Sequence, residues 1–188
     1  MKFMFLFLLI VTACGKNNGG GGSAQKLETI QVAQETNAQY RVVFGGLNGK
    51  ASFGTASLEF EESSKLIINF SMINFPGQVI HSQTLHIGEK CPSIDDDLNK
   101  DGFVDYEEGL KVFGELTFAF DDQHGSSYTY SDEFETSDMP SNLVLQGKAL
   151  VVYGTQGPLP ATVTSNEGED AAASLPVACG IIQKVLTN

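Results

Sequence analysis

The chain has no tryptophan, only three histidines, three cysteines and six prolines in 188 residues, and only 11 Lys and Arg against 23 Asp and Glu. Each shortage excludes something. A net charge of −12 repels polyanions, which argues against nucleic acid and anionic headgroups as partners. Three cysteines cannot supply a four-thiolate zinc site. Without Trp, a sugar-stacking platform has to use Tyr or Phe; Tyr128 and Tyr130 share a face and are candidates, with core or rim packing as the alternative. There is no glycine-rich phosphate loop and no Gly-x-Ser-x-Gly nucleophile turn. The apolar run at 3–11 is too short to span a bilayer as a permanent helix.

What is present is an acidic twelve-residue stretch, 97–108, reading DLNKDGFVDYEE. It fits an EF-hand calcium loop, with Asp97, Asn99 and Asp101 at positions one, three and five and Gly102 at six; Asp105 falls at nine and Glu108 at twelve. Calcium is a hard cation that takes six to eight oxygens, so a short loop must fold round it with alternate side chains turned inward. Gly102 allows the sharp turn, Phe103 offers its backbone carbonyl, and Glu108 closes the shell with both carboxylate oxygens. Val104 is expected to pack inward. The alternative is an acidic turn with no metal. Cys91 and Pro92 before the loop and Gly109 after it leave room for at most a helical turn on either side, so the expectation is a structural calcium staple, not a groove-opening sensor. The pairs Glu107-Glu108 and Asp132-Glu133 read as calcium ligation and solvated acidic loop rather than as glycosidase carboxylates.

The N-terminus carries Lys2, the apolar run and then Val11-Thr12-Ala13-Cys14, which resembles the lipobox of bacterial lipoproteins. That resemblance implies a signal peptide over 1–13, cleavage before Cys14, and a Cys14 carrying diacylglycerol and an acylated amine (palmitate-type chains), enough for stable membrane anchoring. Residues 14–25 form a Gly-rich tether, and 26–188 form one domain. Gly15 is not the aspartate that retains lipoproteins in the inner membrane, so the resemblance implies the bacterial cell envelope, at the outer membrane. With Cys14 lipidated, Cys91 and Cys179 are left, as a disulfide or as two free thiols.

Beyond Ala38 the hydrophobic period is two. Tyr40, Val42 and Phe44 share a face before a turn expected at Gly45-Gly46; Ala56, Leu58 and Phe60, then Leu66, Ile68, Phe70 and Met72, mark the next strands. Residues 79–87, 116–120, 143–153 and 178–186 read as further strands. The stretches 121–126, 132–141 and 156–172 read as polar connections, and no helix longer than a turn or two is expected. The fold class is all-β, an antiparallel sandwich or flattened barrel.

Three motifs carry a further resemblance: HSQTLHIGEKC at 81–91, LVVYG at 150–154 and LPVACGII at 175–182. Together they resemble bacterial lipoproteins whose domain is similar to copper,zinc superoxide dismutase and to the chordin-type (CHRD) domain, with an EF-hand-like loop inserted. The resemblance implies a Greek-key β-sandwich, a Cys91–Cys179 disulfide, and a calcium loop where the dismutase has its zinc loop. The catalytic metal residues carry over poorly. The family's ligand pair falls on Thr84 and His86, and its histidine in the LVVYG strand is Tyr153 here. His81, five residues from His86, points to the other face of a regular strand. The expectation is a non-enzymatic, membrane-anchored, calcium-binding envelope protein, its calcium structural or supporting the binding of a surface ligand or protein partner. The alternative is a degenerate dismutase-like protein binding copper or zinc through His81, His86 and His124.

Overall fold

Period-two alternation becomes strand wherever one face can be buried, and it does so through most of this chain. The structure, a computed structural model, describes residues 38–61, 64–77, 79–140 and 143–186. The signal, Cys14 and the tether lie outside the described residues. The strands are β1 (Gln39–Gly46), β2 (Phe53–Glu61), β3 (Lys65–Ile73), β4 (Ile80–His81), β5 (Gln83–His86), β6 (Leu116–Ala119), β7 (Gln123–His124), β8 (Ser127–Glu135), β9 (Ala149–Tyr153), β10 (Pro176–Ile181) and β11 (Gln183–Lys184). Two helices, α1 (Tyr106–Phe113) and α2 (Ala171–Ser174), interrupt them. The chain is therefore predominantly β, as expected.

One antiparallel sheet runs in the order β6-β5-β9-β10-β1-β2-β3-β8, with β11 beside β1 and a separate β4–β7 pair. The sheet curls round its own core. Val42, Ala56, Phe70 and Tyr130 lie opposite one another across β1, β2, β3 and β8, so each contributes to the same inner face. Leu85 of β5, Leu150 and Val152 of β9, and Val177 of β10 pack against that face from the other side of the curl. The two ends of the sheet meet through side chains: Phe118 and Phe120 of the β6 segment stand edge-on to Phe134 of β8, at ring separations of 5.2 and 5.6 Å.

β9 explains the site that follows. Its sequence ALVVY does not alternate, and all five residues are buried. Leu150 and Val152 face the main core, while Ala149, Val151 and Tyr153 face a second cluster with Phe113 of α1 and Cys179 of β10. A continuous apolar run marks a strand covered on both faces. The cover on the outer face is α1.

Several boundaries differ from expectation, each for a physical reason. Gly45 and Gly46 are not a turn: they end β1 and pair with Cys179 and Ala178 of β10. A Cβ on Gly46 would run into the backbone of Lys50, so the glycine permits close backbone approach while the chain turns later, at Asn48 and Gly49, both with positive φ. The 79–87 stretch breaks at Ser82 into β4 and β5, and 178–186 breaks at Ile182 into β10 and β11. Residues 143–148 bury Leu143 and Leu145 but turn at Gly147 before β9 begins. β8 was missed in the sequence, where 132–141 reads as loop. Its outward residues are Ser, Thr and Glu, which mimic a loop, while Tyr128, Tyr130 and Phe134 are half-buried on the inner face. Tyr128 and Tyr130 thus pack, against Phe75 and Phe70 respectively.

The largest correction is α1, which runs eight residues from inside the acidic loop, through Gly109, to Phe113. Tyr106, Gly109, Leu110 and Phe113 follow i, i+3, i+4, i+7 spacing and form its inner face. Gly109 is not a stop. A Cβ there would lie 2.6 Å from the Phe113 ring, so glycine makes room for that ring and the helix continues to Gly114, where φ is +74°.

Candidate functional site: the acidic loop and the buried histidines

The 97–108 loop is organised by its own side chains accepting backbone N–H bonds. Asp97 Oδ2 accepts from Gly102 at 2.9 Å, and Asp97 Oδ1 accepts from Asp101 at 3.2 Å. Asn99 Oδ1 accepts from Asp101 at 2.9 Å, and Asp101 Oδ1 accepts from Phe103 at 3.0 Å, two successive Asx turns. Lys100 and Gly102 take the positive φ values, +60° and +93°, that such a tight path requires.

The second half of the loop is also the start of α1. Asp105 is its N-cap and accepts from Glu108 N–H at 3.1 Å, while Glu108 Oε2 accepts from Asp105 N–H at 3.2 Å, a reciprocal capping box. Glu108 Oε1 reaches back across the loop to accept from Leu98 and Asn99, at 2.8 and 3.1 Å. Asp105 and Glu108 are 1% and 6% exposed, and Val104 between them is buried, as expected.

Three residues that sequence reasoning missed hold this loop in place. Asn48 donates to the carbonyls of Val104 and Pro176 and accepts from Val104 N–H, so a turn residue after β1 fastens the loop to the start of β10. From the polar segment before α2, Thr162 donates to Asp101 Oδ2 at 2.6 Å, and Thr164 donates its N–H to Asp105 Oδ2 at 2.8 Å. Thr164 Oγ1 in turn accepts from Glu107 N–H. The only signal in the sequence is the clustering of small hydroxyl residues, which fits any loop.

The donor set is oxygen alone, which suits a hard cation, and its carboxylates are already steered by backbone bonds. Their charge has no basic partner: among the described residues neither Asp105 nor Glu108 is in an ion pair. Nor do three or more His, Cys, Asp or Glu side chains there gather into a group that could hold a metal ion. The loop carboxylates lean on N–H groups instead.

Cys91 and Cys179 form a disulfide with Cα atoms 5.7 Å apart. It ties the residue before Pro92 to the middle of β10.

The structure does not bring the three histidines together. His81, fully buried, has Nδ1 3.1 Å from the Tyr153 carbonyl and Nε2 3.0 Å from the Pro76 carbonyl. His124 is exposed on β7 and lies opposite Ile80, which also faces out. His86 is 1% exposed and held from both sides. Its Nδ1 donates to the Gly114 carbonyl at 2.9 Å, which fixes the tautomer and leaves Nε2 to accept from the hydroxyls of Thr84 at 2.8 Å and Tyr153 at 3.1 Å. Burial pushes the imidazole down to about 4 against the pull of the Gly114 and Glu115 backbone. The same burial pushes the Tyr153 phenol far up.

No family model matches the chain, and no curated protein matches it.

Proposed function

We propose that the chain is a non-enzymatic, lipid-anchored protein of the bacterial cell envelope whose β domain is stapled by one calcium ion, with Asp97, Asn99, Asp101, the Phe103 carbonyl, Asp105 and Glu108 as its ligands. The observation that carries this reading is the burial of Asp105 and Glu108, neither of which is in an ion pair among the described residues. Buried carboxylates are paired or bind metal, because an uncompensated charge in the interior is costly. Calcium would supply the missing positive charge and neutralise the repulsion among Asp95, Asp96, Asp97, Asp101, Asp105, Glu107 and Glu108.

The dismutase-like, Greek-key reading of the domain belongs to the same proposal. Its support is a strand order in which β5 pairs with β9, β1 with β10 and β3 with β8, so neighbours in the sheet are distant in the chain. Cys14 would hold the domain at the membrane through its acyl chains, and the calcium-ordered surface would meet a ligand or protein partner.

Calcium titration of the soluble form, starting after Cys14, tests the reading. One ion should bind, with Kd between about 10⁻⁶ and 10⁻³ M for an extracytoplasmic loop of this kind. At a hundredfold excess over Kd, linkage gives about 2.7 kcal/mol, seen as a rise of roughly 5–10 °C in Tm for a domain of this size. Both effects should vanish in Asp97→Ala and in Glu108→Ala. No binding at millimolar calcium would overturn the assignment.

A further inference from the structure

A cavity of about 210 Å³ opens beside β5, with Thr84, His86 and Tyr153 among its buried lining and Tyr106, Asp122 and Glu169 on its outer part. Its chemistry follows from the tautomer of His86. Because Nδ1 gives its proton to the Gly114 carbonyl, Nε2 has only a lone pair, and the Thr84 and Tyr153 hydroxyls turn their protons toward it. Their oxygens are left with lone pairs for the cavity. At these two hydroxyls the floor therefore offers acceptors rather than donors, with Ser82 and Asn166 elsewhere in the lining.

The outer part has the same preference. Asp122 and Glu169 are both exposed carboxylates, close enough that Glu169, after burial, helps push the Asp122 carboxyl above its usual range. No Lys or Arg lines the cavity. Two tyrosines, Tyr106 and Tyr153, stand 6.1 Å apart along one side and present aromatic surface. Acceptor oxygens on the floor, negative charge at the mouth and tyrosine rings in the wall select a ligand that has N–H donors, positive charge and little bulk.

We propose that this cavity binds a small organic ammonium ion, its N–H groups directed at the Thr84 and Tyr153 oxygens and its charge balanced by Asp122 and Glu169. The site shares Tyr106 with the 97–108 stretch but none of the residues assigned to calcium, and does not need calcium to be bound there. An anion is repelled by the two carboxylates, and a neutral alcohol can donate one O–H but brings no charge for them to balance.

Calorimetric titration of the soluble chain with n-butylammonium chloride, at fixed calcium and ionic strength, tests the proposal, with n-butanol as the neutral isostere and sodium and potassium chloride as inorganic cations. Saturable one-to-one binding of n-butylammonium is expected, with at least tenfold weaker binding of n-butanol and amide shift changes in NMR centred on Thr84, Ala119 and Tyr153. The Asp122→Asn/Glu169→Gln double variant keeps the shape, changes only exposed groups, and should weaken binding at least tenfold. Ala119→Leu should block the cavity by volume with every charge in place. Equal binding of n-butanol, unchanged affinity in the double variant, or shifts centred on the 97–108 loop would overturn it. So would binding of sodium or potassium in place of the amine.

Discussion

His86 shows how one backbone contact can decide the character of its surroundings. The Gly114 carbonyl selects the tautomer, the tautomer turns two hydroxyls inward, and burial keeps the ring neutral. The linkage has a definite sign. A histidine held at about 4 in the folded state, against 6.5 unfolded, takes up its proton later than the unfolded chain does. Its contribution is complete above pH 6.5 and is lost as pH falls toward 4, amounting to about 3 kcal/mol over that window. Denaturant midpoints at pH 7, 5.5 and 4.5 should fall more steeply for the native chain than for His86→Gln, and parallel slopes would contradict the buried neutral ring. The residue was legible in the sequence as part of an expected strand, 79–87. Its partner Gly114 was not, because that contact spans 28 residues and depends on where α1 ends.

Among the elements, α1 was hidden in the sequence, and the acidic loop depends on it. Its inner face has helical spacing, and the glycine at its centre looks like a terminator only until Phe113 is placed against it. Gly109→Ala separates the two explanations. In an exposed helix the change gains about 1 kcal/mol of propensity. Here a methyl must displace a fully buried phenyl ring, and overpacking of that kind costs about 1–3 kcal/mol. The expected result is a net loss of stability in chemical unfolding, together with weaker calcium binding because α1 carries Glu108. A gain in stability would mean that the ring is not confined. Strands β1 to β3 were readable for the opposite reason, since each has a clean buried-exposed alternation. β8 was not, because its solvated face carries the composition of a loop. The calcium-type residues of the loop were readable individually; Asn48, Thr162 and Thr164 were not, because they reach it from 56 to 61 residues away.

For the molecule as a whole, the disulfide and α1 hold the two ends of the acidic segment. Cys91 fixes its start to β10, and Phe113 fixes its end against the outer face of β9. The bridge closes a separation of 88 residues, which the chain-entropy model values at about 4–5 kcal/mol. Replacing both cysteines by alanine should lower stability by that order at equal calcium, and should weaken calcium binding as well, since a freed segment must be ordered before it can wrap an ion. Urea unfolding and calcium titration of the C91A/C179A chain check both outcomes; unchanged calcium affinity would show that α1 alone positions the loop.

The double burial of β9 has one more consequence, in time rather than in energy. A strand hydrogen-bonded to β5 and β10 and covered on both faces gives up its amide protons only when the whole domain opens. Deuterium uptake at Leu150, Val151 and Val152 is thus an internal clock for global unfolding. On the calcium reading proposed above, added calcium should slow that clock, and the extent measures how firmly an ion at one surface loop holds the centre of the sheet.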